Sequence, residues 1–133
     1  MPNVPADLRY GQDHLWARRP GAEDGLVRIG LTDFAQQSLG DVVDVSLPRL
    51  EETVSAGEAC GDIESTKSNS DLIAPVAGIV RARNEELADA PELINTDPYG
   101  QGWLFEVAVD PTTLSKQFDA LLDADAYGDL TGA

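Results

Sequence analysis

The chain is poor in the residues that most chemistry needs. Among its 133 residues there is one cysteine, Cys60, and one histidine, His14. An internal disulfide is therefore excluded, and no zinc site of the usual His/Cys kind can be assembled. Any metal chemistry would fall to carboxylates alone. The sequence has no Gly-x-Ser-x-Gly elbow and no second histidine, which removes most hydrolase readings. Basic residues are scarce as well: nine Lys and Arg stand against 24 Asp and Glu, a net charge of −15. So acidic a surface repels phosphate backbones and anionic membranes, and nucleic-acid binding is excluded. Long apolar runs are missing too, since stretches such as Leu72-Ile73-Ala74 are far too short to span a bilayer. The N-terminal segment from Met1 to Asp7 lacks the basic and apolar regions of a signal peptide and the Arg/Ser-rich character of a transit peptide, so the expected location is cytoplasmic.

What remains is an ordinary globular composition, 42% hydrophobic and 25% charged, in a length that suits one domain over residues 1–133. The sequence shows neither a fixed-period repeat nor a linker-like tract. Between Gly25 and Pro111 it reads as short strands separated by turn residues. Leu26–Ile29 is a first strand. Thr32 is a natural N-cap and Gly40 a natural C-terminal stop, so Asp33–Leu39 is expected to be a two-turn helix with Phe34 and Leu39 toward the core. Residues 41–47 alternate, which places Val43, Val45 and Leu47 on one buried face. Strands follow at 59–64 and 71–73, with the polar run 65–70 between them, and another at 76–82. Asn84 can cap a short helix over 85–88, and 95–100 is a dense turn signal. Residues 103–109 form the best strand, with Trp103, Phe105, Val107 and Val109 alternating. Leu114, Phe118, Leu121 and Leu122 share one face of a C-terminal helix and tail over 112–133, capped by Thr112 or Thr113 and frayed at its end. This pattern is mostly β: a small antiparallel sandwich or flattened barrel decorated by short helices.

Against seven arginines the chain has only two lysines, Lys67 and Lys116. Lys67 lies in the polar connection between two expected strands, among small hydroxylated neighbours, and so projects from a hairpin apex. A solvated turn lysine is the simplest account. A phosphate-binding loop would need glycine directly before the lysine, where Thr66 stands; the nearest upstream glycine is Gly61. A Schiff-base lysine needs burial or a cationic neighbour, whereas Glu64 and Asp71 flank this one and favour its charged form. The chemistry left is attachment, for which reach matters more than reactivity.

Several short motifs occur in a telling order. They include His14-Leu15-Trp16, residues 30–36 and 39–43, Glu64-Ser65-Thr66-Lys67-Ser68 through Asp71, residues 74–78, and residues 84–87, 91–95 and 97–103. Together they resemble the H-proteins of the glycine cleavage system over nearly the whole chain. The resemblance implies a lipoyl/biotinyl-carrier fold, the barrel-sandwich hybrid, with lipoic acid in amide linkage on Lys67. It further implies a carrier that catalyses nothing itself. Such a carrier takes the aminomethyl group of glycine from a pyridoxal-phosphate glycine decarboxylase to a tetrahydrofolate-dependent aminomethyltransferase, and dihydrolipoyl dehydrogenase then reoxidises it. A lipoylating enzyme would be a fourth partner, and a monomer is expected.

One position departs from the family pattern. Leu15 stands where the family usually has glutamate, in a region that lines the cleft for the loaded arm, so a partner for the arm's ammonium is lost there. Asp71 is the better remaining candidate and Asp13 a weaker one, each with an ordinary turn or capping role as its plain alternative. Glu64 and Asp71 are the flanking candidates for recognition or arm docking. His14 and Trp16 read as packing residues, and Cys60 as a buried small hydrophobe with nothing to stabilise its thiolate. The competing accounts are a biotinyl or acyltransferase-type lipoyl domain, a lipoyl-relay protein donating its group to other enzymes, and an unmodified binding module. Biotinyl domains typically set methionine on both sides of the lysine, against Thr66 and Ser68 here.

Overall fold

Alternating apolar and polar residues over short spans build two antiparallel sheets in a computed structural model that describes residues 4–18 and 26–131. Strands β1 (Arg9–Tyr10), β2 (Leu15–Arg18) and β3 (Leu26–Leu31) form a meander; α1 (Asp33–Leu39) then leads into β4 (Val42–Ser46) and β5 (Thr53–Val54). The hairpin β6 (Ala59–Ser65) and β7 (Asn69–Ile73) follows, then β8 (Gly78–Arg83), a 3₁₀ turn Glu85–Ala88, α2 (Leu93–Thr96) and β9 (Phe105–Ala108). Two helices, α3 (Pro111–Asp119) and α4 (Ala124–Thr131), end the described chain. One sheet runs β1-β2-β3-β9-β8-β5 and the other β4-β6-β7. The mostly β, sandwich-like expectation is met.

The main core joins both sheets. Ile29, Phe105 and Val107 from the larger sheet and Ile63 and Leu72 from the smaller are at most 1% exposed. A second cluster gathers Tyr10, Trp16 and Tyr127, all fully buried, with the rings of Tyr10 and Tyr127 stacked at 4.7 Å. Trp16 fits its strand because Gly30 sits opposite; a Cβ there would stand 2.4 Å from the indole.

Several expectations need correction. A bulge between Val42 and Asp44 puts an extra residue into β4, so Val42 is buried at 4% and Val43 lies 48% exposed. Alternation resumes beyond it, and Val45 and Leu47 pack on the core as expected. In α1 the buried residue is Ala35; Leu39 does pack on the core, while Phe34 is half-buried against the ring of His14. The C-terminal segment forms two helices. Asp110 caps α3, accepting from Thr112 N–H, with Pro111 in the first turn, whereas the threonines lie inside the helix. The helix stops because Leu122 exchanges backbone hydrogen bonds of 2.8 Å with Tyr10. Strands β1 and β2 add β structure upstream of Gly25, and β5 lies in the polar stretch after Leu50. The final two residues, where fraying was expected, lie outside the described residues.

Candidate functional site

Glu64 on β6 pairs with Asn69 on β7, which closes the hairpin around Ser65, Thr66, Lys67 and Ser68. The turn is tighter than the expected polar run because Ser65 is buried and organises it. Its hydroxyl donates to Ser68 C=O at 2.9 Å and accepts from the N–H groups of Ser68 at 3.1 Å and Lys67 at 3.3 Å. A backbone bond from Ser65 N–H to Ser68 C=O completes it. Thr66 and Lys67 are thereby carried at the tip, both exposed. The tip is moored from outside the hairpin, since Thr66 N–H donates to Asp41 C=O at 3.0 Å.

That mooring depends on Gly40, expected as the stop of α1, and on Asn95, whose role the sequence did not reveal. Gly40 ends α1 with φ +79°, a conformation that favours glycine, and the stem of Lys67 lies beside it: a Cβ on Gly40 would stand 3.3 Å from Lys67 Cε. Asn95 on α2 spans the junction. Its amide NH₂ donates to Gly40 C=O and Gln36 Oε1, and its Oδ1 accepts from Val42 N–H at 2.9 Å. One side chain therefore joins the end of α1 to the start of β4, on either side of the Asp41 carbonyl that moors the lysine turn. The signal was present as the turn-rich segment around Asn95, but what the amide bridges is set by tertiary packing.

Beside the hairpin lies a cavity of about 190 Å³. Ile63, Ser70 and Asp71 wall it from the sheet, and Phe34, Ala35, Ser38 and Leu39 from α1. Asp13 and His14, from the β1–β2 turn, close it with Leu31. Two of the expected acids, Asp71 and Asp13, are thus brought to one cavity, while Glu64 is exposed on β6 opposite Asp44 and does not line it. Leu15, 1% exposed, belongs to the main core and is absent from the cavity wall. A larger, mostly apolar groove of about 820 Å³ between β8, β9 and α3 includes Lys116 but no hairpin residue. The smaller cavity is the better candidate, because it brings both Asp13 and Asp71 to the strands that carry Lys67.

His14 is more than a packing residue. It has φ +72°, uncommon outside glycine, and its Nδ1 lies 2.9 Å from the Tyr127 hydroxyl. That hydroxyl lies 2.7 Å from Thr32 Oγ1, which caps α1 by accepting from Ala35 N–H. Burial holds the His14 imidazole below its ordinary value of 6.5, against the opposing pull of Asp13. Trp16, as expected, packs, and donates from Nε1 to Pro98 C=O at 3.0 Å. Cys60 is partly buried with its thiol toward Leu72 C=O, and burial pushes that thiol up to about 11, which keeps it protonated and unreactive.

A small β scaffold thus offers an exposed lysine at a moored hairpin tip, beside a cavity lined by Asp13 and Asp71. The comparisons with known proteins make this specific. The Glycine cleavage H-protein family model matches residues 8–132. The glycine cleavage system H protein of Mycobacterium avium is 53% identical over 133 residues, covering 98% of this chain and 99% of its own. That of Mycobacterium tuberculosis is 50% identical over 135 residues, with the same shares covered. The crystal structure of the H protein from Mycobacterium marinum superposes with a TM-score of 0.86 at 46% identity, over 98% of this chain and 100% of that one. The chain belongs to the glycine cleavage H-protein family.

Proposed function

We propose that the chain is the lipoyl-carrying shuttle of a glycine cleavage system, with lipoic acid in amide linkage on Lys67. The observation that carries this reading is the joint placement of an exposed lysine on a moored turn and a carboxylate-bearing cavity beside it. Lys67 fits as an attachment point. Its amine is on the surface, no ion pair engages it among the described residues, and the turn beneath it is fixed by Ser65, Gly40 and Asn95.

When attached, a lipoyl group supplies a reducible disulfide on a long arm that accepts and releases a one-carbon amine. The chain's own residues root and receive that arm. The rigid turn fixes its origin, so a tethered cargo stays at high local concentration near whichever enzyme is docked. Asp13 and Asp71 offer negative charge to a cargo that ends in an ammonium, and the apolar wall of Leu31, Phe34, Ala35, Leu39 and Ile63 suits the arm's hydrocarbon. Glu64, exposed three residues before the lysine, is placed for recognition by the lipoylating enzyme. The partners in this reading are the glycine decarboxylase, the aminomethyltransferase, dihydrolipoyl dehydrogenase and the lipoylating enzyme. The chain acts as one monomeric unit in the cytoplasm and catalyses no step alone.

Intact mass of the protein from its native host, with peptide mapping, tests the reading. The expected result is a gain equal to lipoic acid less one water, localised to Lys67. An unmodified Lys67 in cells with active lipoylation, or biotin in its place, would sink it.

A further inference from the structure

Pairing every buried hydroxyl proton behind the cavity wall gives its hydrogen bonds one direction. Thr32 is fully buried, and its hydroxyl oxygen already accepts from Ala35 N–H. The hydroxyl proton has one acceptor among the described residues, Tyr127 Oη at 2.7 Å. Leaving it unpaired in a dry interior costs about 1–3 kcal/mol, so Thr32 donates to Tyr127. The Tyr127 proton then has one destination, His14 Nδ1 at 2.9 Å. Nδ1 must accept, and a neutral imidazole that accepts at Nδ1 carries its proton on Nε2. Nε2 has no partner among the described residues and is not one of their buried unpaired atoms, so it reaches open space on a residue that lines the cavity. The left-handed backbone at His14 is what turns the ring this way, and its carbonyl is held by Thr32 N–H at 3.0 Å.

We propose that His14 is a positioning residue for the cargo: the one-way chain from Thr32 through Tyr127 holds its imidazole neutral with the proton on Nε2, so the cavity presents a hydrogen-bond donor on one wall and carries only the charge of Asp13 and Asp71. This rests on the carrier reading above. A guest of matching chemistry has a primary ammonium for the carboxylates and a soft acceptor, such as sulfur, for the imidazole N–H. A protonated His14 would spoil both features, since it adds a like charge to a cationic guest and expels the Tyr127 hydroxyl proton from Nδ1. The groups facing His14 are Asp13 in its own turn, Asp71 from β7 across the cavity and Tyr127 from α4. The nearest acid of α1, Asp33, accepts from the side-chain amides of Gln36 and Gln37.

As the chain has a single histidine, nitrogen NMR of the unlipoylated protein reads its proton directly. The expected spectrum at neutral pH is that of a neutral ring protonated at Nε2, with a titration midpoint below 6.5. Tyr127→Phe, which keeps the ring stacked on Tyr10, should mix the two tautomers and raise the midpoint. A ring protonated at Nδ1, a charged ring at neutral pH, or an unchanged spectrum in Tyr127→Phe would overturn the proposal. His14→Asn supplies a second arm that does not depend on that variant, because asparagine tolerates the backbone angle and stays neutral. In the lipoylated chain loaded with the aminomethyl group, loss of cargo should accelerate in the wild type as pH falls from about 7.5 to 5, and should stay flat in His14→Asn. Equal pH profiles would also overturn it. A chain that accepts no lipoyl group on Lys67 would instead defeat the carrier reading, and the cargo role with it, while the NMR result judged the proton placement separately.

Discussion

The two sheets compensate their facing charges to different degrees: Arg18 faces Arg28 in the six-stranded sheet, but Arg18 donates to Tyr99 C=O at 3.0 Å and Arg28 has an acid on its other side. In the six-stranded sheet, Arg28 and Glu106 face each other across β3 and β9 and form an ion pair at 2.8 Å, with the guanidinium 4.4 Å above the ring of Trp103. In the three-stranded sheet, the facing pairs are Asp44 with Glu64 and Asp62 with Asp71. Like charges opposite each other destabilise a ladder, and no described ion pair relieves them. Burial differs in the same sense: β9 buries Phe105 and Val107, whereas along β6 only Ile63 and Ser65 are buried. One sheet is built to hold, and the other leaves Asp44, Asp62, Glu64 and Asp71 exposed. The acids of the smaller sheet weaken it, and the shared core supplies the stability that this arrangement costs.

The largest expected effect separates function from stability in one residue. Lys67→Arg should abolish modification and carriage completely, yet leave the unfolding free energy within about 0.5 kcal/mol, as judged by denaturant titration, because the side chain is exposed. In the holding sheet the opposite holds: Phe105→Ala removes a fully buried ring and should cost about 3–5 kcal/mol. Asn95→Ala tests the clamp between the two regions. It strands the N–H of buried Val42, so a loss of about 1–3 kcal/mol is expected, with faster amide exchange at Thr66 as the local sign. Asp62→Lys should do the reverse and stabilise by about 0.2–1 kcal/mol, with the gain shrinking as salt is raised. The smallest effect is one of pH. The His14 imidazole lies below 6.5 in the folded chain, so the unfolded chain takes up a proton first, and stability should fall as pH drops below that value. His14→Asn should remove that part of the slope.

Locally encoded features were legible in the sequence. The Thr32 cap and Gly40 stop bound α1 as expected, Asn84 caps the turn at 85–88, and Lys67 stands at a hairpin tip. The Asp110-Pro111 pair is also a local signal for the start of α3, and the threonines beside it competed for the same role. What stayed hidden depends on distant partners. The bulge that turns Val43 outward is set by pairing with β6, the break between α3 and α4 by the backbone of Tyr10, and the reach of Asn95 by the meeting of α1 with β4. At the site, Asp71 and Asp13 were already candidates for the arm's ammonium, while the α1 wall that encloses them with Ile63 depends on tertiary packing. His14 read as packing because its directed hydrogen bonds come from Tyr127, 113 residues away.

The most direct test of the shuttle itself is reconstitution with purified glycine decarboxylase, aminomethyltransferase and dihydrolipoyl dehydrogenase, with this chain lipoylated and limiting. Glycine-dependent NADH formation should rise in proportion to the chain added and vanish with Lys67→Arg. NADH formation that ran equally well with Lys67→Arg, or that failed with a fully lipoylated wild-type chain, would contradict the account.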